Sequence, residues 1–226
     1  MEGCPFCRMR NTVEAHISEY IMGAAMMEPD VRMETNRLGF CHRHYRDLLG
    51  QGNRLSLGLM LNTYLESVHK DIFAKKGILS FVKPDKRTQK ASQVSETCFV
   101  CTKVDWGMNH MVKTFFVMFR DGGAAPAGEP NFRTLLAQQE FICMPHYAWI
   151  REKAATSLDK ATLPVFLDAI DTLVGNYAAS LNADVNQFCN SFDYRNARTL
   201  HKPEMEHVRT SVNRSIEFLT GRIVDS

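Results

Sequence analysis

A cysteine/histidine array that occurs twice limits what this chain can fold into more than any other feature. Cys4-Pro5-Phe6-Cys7 is followed, after 33 intervening residues, by Cys41-His42-Arg43-His44-Tyr45. Cys98-Phe99-Val100-Cys101 is followed, after 41, by Cys143-Met144-Pro145-His146-Tyr147. Both copies read C-x-x-C, a long gap, then C-x-x-H-Y. The excess of eight residues in the second gap matches a small-residue loop, Gly122 to Glu129, that the first copy lacks. Thiolates are soft, negatively charged ligands, and three of them with one imidazole complete a tetrahedron around zinc. C-x-x-C sets two sulfurs on one tight turn, and C-x-x-H sets a sulfur and a ring nitrogen on one side of a helical turn. The sequence order predicts one site from Cys4, Cys7, Cys41 and His44 and a second from Cys98, Cys101, Cys143 and His146. Four protein ligands leave no open position, which is the structural rather than the catalytic kind of site. Two structural Zn²⁺ ions per chain are expected, and such a site can supply on the order of 10 kcal/mol.

The same residues admit other chemistry. An iron–sulfur centre is the chemical rival, since Cys₃His ligation is possible although Cys₄ is commoner. Cys4-Pro5-Phe6-Cys7 also matches the active-site tetrapeptide of a glutaredoxin, but there the motif follows a β-strand and here three residues precede Cys4. The seventh cysteine, Cys189, lies in an apolar helical pattern and reads as a small buried hydrophobe.

Between the motifs the apolar residues recur at helical spacing, and no run alternates as a strand would. The expected fold is all-α, a helical bundle of two repeated halves, each pinned by a Cys₃His site, with a C-terminal helix added. Helix one is expected from Pro5 to Met27, with Val13, Ile17, Tyr20, Ile21, Ala24 and Met27 on its apolar face. A short helix near Asp30–Asn36, a helix opening at Cys41, and a long one capped by Asn53 and ending near Gly77 complete the first repeat, 1–77. Residues 78–96, with Lys83, Lys86, Arg87 and Lys90 among Pro and Ser, read as a basic linker. The second repeat, 97–192, carries the stripe Val104, Met108, Met111, Phe115 and Phe119, a short helix near 131–138, a helix opening at Cys143, and a long one over 163–192. Residues 193–226 form a C-terminal segment whose helix uses Val208, Val212, Ile216, Leu219 and Ile223.

The composition adds only bounds. A formal net charge of +2 is too weak to argue for nucleic acid or a membrane. No apolar run approaches the ~20 residues of a membrane span. A secretion signal is not evident, so the expected location is cytoplasmic.

Several further residues invite a functional reading. His16 and His110 each follow the second cysteine of their copy by nine residues, roughly 13 Å along a helix, too far to ligate the same metal. His42 could compete with His44, but only His44 has a counterpart in the second copy. Glu66-x-x-His69 and Glu204-x-x-His207 form half of a di-iron pattern, whose bridging carboxylates would have to include Glu14 or Glu19. Glu204 and Glu206 equally suit the start of a helix. Asp193-Tyr194-Arg195 reads as a capped corner between helices or a partner contact. Lys83 to Lys90 and Arg8, Arg10, Arg43 and Arg46 are candidates for a nucleic-acid face, the last four equally for balancing the charge of the metal centres.

Gly23-Ala24-Ala25-Met26-Met27-Glu28-Pro29-Asp30-Val31-Arg32, then Thr35-Asn36, Gly39-Phe40-Cys41 and His44-Tyr45, resembles a family of bacterial proteins catalogued only as a domain of unknown function. The second array and Phe192-Asp193-Tyr194-Arg195-Asn196 are similar to it as well. The resemblance implies a cytoplasmic bacterial protein and brings no activity with it, so no catalytic residue is carried over. The functional expectation is a zinc-stabilised interaction or scaffold module with a protein or small-molecule partner. A metalloenzyme or metal sensor with an extra site between the halves is the first alternative, and a nucleic-acid-binding zinc protein the second.

Overall fold

The computed structural model describes residues 3–73, 86–122, 130–192 and 205–221, and among these it is all-α, with no strand. The helices in chain order are α1 (Pro5–Met22), α2 (Pro29–Leu38), α3 (His42–Gly50), α4 (Arg54–Phe73), α5 (Lys86–Glu96) and α6 (Phe99–Arg120). They continue as α7 (Phe132–Ala137), α8 (Met144–Ser157), α9 (Thr162–Asn190), α10 (Glu206–Arg209) and α11 (Ser211–Thr220). A single 3₁₀ turn, Ala24–Met27, separates α1 from α2. The residues group into two compact units, Asn11–Met108 and Met1–Arg10 with Asn109–Ser226, so the boundaries fall inside α1 and α6.

In the unit 11–108, α2 packs on α4 and α4 on α5. Asn53 caps α4 as its position suggests, its Oδ1 accepting from Ser56 N at 3.2 Å. Arg32 Nη2 donates to Leu59 O and Thr63 Oγ1 at 2.9 and 2.7 Å, fastening α2 along α4. Two hydrogen bonds bring the start of α6 to the turn ahead of α3: Thr97 Oγ1 donates to Leu38 O at 2.7 Å and Phe99 N to Gly39 O at 2.9 Å. That turn needs glycine, because Gly39 has φ 58° and a Cβ there would come within 2.6 Å of the Tyr64 ring and hydroxyl. Ile21, Leu48, Leu57, Met60, Val100 and Val104 are among its buried residues.

In the other unit the core is aromatic. Phe166 of α9 is met edge-on by Phe116 and Phe119 of α6, with centroids 5.3 and 5.0 Å away. Phe6 joins through Phe115 at 5.2 Å, and Phe141 stacks on Tyr177 at 4.4 Å. The first residues of the chain are held here too: Gly3 N donates to Glu140 Oε2 at 2.8 Å, and Arg8 donates to Gly3 O and to Gln139 Oε1. The inward face of α9 runs through Phe166, Ile170, Val174 and Leu181.

Some expectations are corrected. Part of the segment expected as a basic linker, residues 86–96, is a helix, half-burying Val94 and pairing Lys90 with Asp71 at 3.3 Å. Tyr20 is exposed because the inward face of α1 passes through Ser18, Ile21 and Met22, and Met27 because α1 stops at Met22 and the 3₁₀ turn changes the period. The C-terminal helix breaks at Thr210, so Val208, Ser211 and Phe218 face inward while Val212, Ile216 and Leu219 are exposed. Lys83, Ile223, Glu204, the corner Asp193-Tyr194-Arg195-Asn196 and most of the 122–129 loop lie outside the described residues.

Candidate metal centres

Four helices, α1, α3, α6 and α8, begin with a ligand pair, and each uses the same local plan. Cys4, Cys41, Cys98 and Cys143 stand immediately before the first helical residue, and Cys7, His44, Cys101 and His146 occupy the third. The carbonyl of each leading cysteine accepts the first helical hydrogen bond, from Arg8, Tyr45, Thr102 and Tyr147. Both side chains of a pair therefore point off one helix N-terminus. The partial positive charge there, about half an elementary charge, favours thiolates.

These N-termini meet in twos, but not in the order of the sequence. Cys4 and Cys7 converge with Cys143 and His146, while Cys41 and His44 converge with Cys98 and Cys101. The expectation that each C-x-x-C pairs with the next C-x-x-H is overturned. All eight residues are used, yet each cluster takes its C-x-x-C from one copy of the array and its C-x-x-H from the other. The physical reason is the bonding of Thr97 and Phe99 to Leu38 and Gly39, which sets Cys98 beside Cys41.

Within each cluster the four ligand atoms all lie within 4.8 Å of one another. In the cluster whose ligands lie outermost in the sequence, the outer cluster, His146 Nδ1 lies 3.1, 3.3 and 3.7 Å from the sulfurs of Cys143, Cys7 and Cys4, and Cys7 Sγ is 3.6 Å from Cys143 Sγ. In the inner cluster His44 Nδ1 lies 3.1, 3.2 and 3.4 Å from Cys98, Cys41 and Cys101, and Cys41 Sγ is 4.0 Å from Cys101 Sγ. A tetrahedron with metal–sulfur bonds of about 2.3 Å and a metal–nitrogen bond of about 2.05 Å has edges of about 3.8 Å between sulfurs and about 3.6 Å from sulfur to nitrogen. Both clusters have the size of one tetrahedral ion, and both could hold one.

The electrostatics suit such an occupant. Burial raises the Cys98 thiol, but the His44 ring and the Cys101 backbone N–H, which donates to Cys98 Sγ at 3.5 Å, outweigh it and bring the group to about 6. Burial alone would lower His44, yet hydrogen bonds with Cys98 and Glu14 raise it to about 10. Burial and the neighbouring Cys98 charge push Cys101 up to about 12. In the outer cluster the contacts with Cys143 and Cys7 hold the Cys4 thiol well below its ordinary range, while Cys143, against Cys4, is raised to about 12. One thiolate per cluster is thus favoured without a cation; a divalent ion would stabilise the rest.

Two contributors had no signature in the sequence. Glu14, in the middle of α1, accepts from His44 Nε2 with one oxygen and from Arg43 Nη2 with the other. Gly221, at the end of α11, has φ 68°, and a Cβ on it would stand 3.0 Å from Cys143 Sγ and 3.5 Å from Cys7 Sγ. Their roles depend on tertiary neighbours that no local spacing announces.

The remaining candidates fall elsewhere. His16, His42, His69 and His110 are exposed, as is Glu66, which accepts from Asn62. Among the described residues the two Cys/His clusters are the groups able to hold an ion, so Glu14, Glu66 and His69 form no di-iron set. Arg43 is engaged with Glu14 and lies 3.6 Å from Asp47, and Arg8 is bonded within its unit. Cys189, expected to be buried, is exposed, because the inward face of α9 passes through Leu181 and Asp184 and leaves Cys189 outside. No helix among the described residues is long and apolar enough to cross a membrane.

A family model described as "Family of unknown function (DUF6062)" matches residues 1–226. The chain belongs to this family. No curated protein and no solved structure matches it. For this member of DUF6062 the chemistry of its own residues carries the functional argument.

Proposed function

We propose that each cluster binds one zinc ion in a structural role, and that the protein is a cytoplasmic, zinc-stabilised helical scaffold that presents its surface to a partner. The single observation that supports this is the closure of both sites: three sulfurs and one imidazole nitrogen at tetrahedral spacing account for every position around one ion. Zinc fits this donor set because it accepts a tetrahedron without a preference imposed by d-electrons and is bound well by thiolates. Ligands within 4.8 Å of one another suit a mononuclear ion rather than an iron–sulfur cluster, whose bridging sulfides spread the cysteines apart.

Zinc bound this way fastens ends that are distant along the chain. Cys7 and Cys143 are 136 positions apart, and His44 and Cys98 are 54 apart. The unfolded chain has no preformed site, so the free energy of binding is free energy of folding, and it offsets the entropy of closing these long loops, which grows slowly with span. Two helix N-termini facing each centre offset the net negative charge of three thiolates on a divalent ion. Elemental analysis of the purified full-length protein tests the reading: about two zinc per chain supports it, and stoichiometric iron in place of zinc sinks it.

A further inference from the structure

The two centres share a ligand set but not their surroundings. His146 is half-buried beside the rings of Phe6 and Trp149, with centroids 5.9 and 6.1 Å away. His44 is 1% exposed and its far nitrogen meets a carboxylate. Glu14 reaches it from α1, twenty-seven positions before Cys41, and is itself largely buried, with 12% of its side chain exposed.

We propose that Glu14 is a positioning residue for the inner metal ion, acting through His44, so that the two zinc ions are held unequally. The inference rests on the zinc reading above. A neutral imidazole has one lone pair in the ring plane, and Nδ1 can offer it to a cation only when the ring proton is on Nε2. An ionised carboxylate accepts hydrogen bonds and donates none. Glu14 Oε1 against Nε2 therefore selects the tautomer in which Nδ1 faces Cys41, Cys98 and Cys101. The same contact fixes the rotation of the ring and increases its donation to the ion.

The carboxylate is fixed in turn. Arg43 Nη2 donates to Glu14 Oε2, and Arg43 also lies 3.6 Å from Asp47 on the next turn of α3. Contacts therefore run from imidazole through carboxylate to guanidinium. Arg43 and His44 are adjacent on α3, so the helix that supplies the ligand also supplies the clamp on its partner. The position of Arg43 inside Cys41-His42-Arg43-His44 thereby acquires a purpose: it offsets the carboxylate charge beside a centre that is already negative.

The test uses the full-length, zinc-loaded protein and a chelator titration that resolves the two equivalents. Glu14→Gln preserves shape and one acceptor oxygen while removing the charge. Release of one zinc should become easier on the order of 10- to 100-fold, with the other unchanged. A second readout needs no variant. In the unmutated protein, ¹⁵N spectra of the histidine rings should find the His44 proton on Nε2, shifted downfield and slow to exchange, and this signal should move in Glu14→Gln while that of His146 stays. Two zinc equivalents released as in the unmutated protein, or a His44 proton on Nδ1, would overturn the role of Glu14 alone. An unmutated protein that holds no zinc would overturn this inference together with the reading beneath it.

Discussion

Cys7 lies 3.6 Å from Cys143, 136 positions along the chain, and not beside Cys41. The outer cluster therefore brings the first helical turn of α1 to that of α8, and it joins the Gly3–Glu140 and Arg8–Gln139 hydrogen bonds in holding the opening residues in the unit that also contains 109–226. The inner cluster lies wholly within 11–108. Loss of the outer ion should free the N-terminal residues; loss of the inner ion should loosen the contact between α3 and α6.

Gly221 tests how tightly the outer centre is closed. Alanine there would adopt φ 68°, at a cost of about 1–2 kcal/mol for the left-handed backbone alone. Its methyl group would also press on Cys143 Sγ at 3.0 Å. Gly221→Ala should lower the melting temperature and the retention of one zinc, whereas Gly52→Ala, at φ 81° with open space around it, should show only the backbone cost. Equal zinc retention in the two variants would argue against a close approach of α11 to the site.

Gly39 plays the corresponding part for the inner centre. Its Cβ would meet Tyr64 Cζ and Oη at 2.6 Å, and its carbonyl receives the Phe99 N–H that positions Cys98. Gly39→Ala should destabilise by at least about 1–2 kcal/mol from backbone conformation, with the clash added. Tyr64→Leu in the same chain should restore part of that loss in a denaturation experiment; no recovery would show that the ring is not the obstacle.

Metal binding should release protons. The Cys101 and Cys143 thiols, each raised to about 12, are protonated at neutral pH, and each must ionise to ligate. Because the bound state carries fewer protons, affinity falls as pH falls, by about tenfold per unit for every proton displaced. Calorimetric titration in buffers of different ionisation enthalpy should report at least one proton released per zinc at pH 7. Affinity that does not change between pH 8 and pH 6 would contradict it.

How legible was this in the sequence? The residues that make up the two clusters were, because C-x-x-C and C-x-x-H each fit one helical turn, and a helix N-terminus is a local structure. The all-α class was too, since the stripe through Phe166, Ile170, Val174 and Leu181 is buried as its period implies. The partnering of the turns was not. Either pairing satisfies the same donors, and the choice is made by long-range contacts such as Phe99 N to Gly39 O. Glu14 reads from its helix only as a bridging carboxylate, and nothing within α1 signals the ring of His44. The inward face of the last helix differs from the expected one because Thr210 splits it, resetting the register after Val208.

Counting zinc in cysteine variants tests the crossed pairing most directly. The unmutated chain should hold two zinc, and Cys189→Ser should leave that number unchanged, since Cys189 belongs to neither cluster. Cys41→Ser combined with Cys98→Ser removes two ligands of one centre and should leave one zinc. Cys4→Ser combined with Cys98→Ser takes one ligand from each and should weaken both. If the Cys41/Cys98 variant instead loses both ions while each single variant loses one, the centres follow sequence order and the account is wrong.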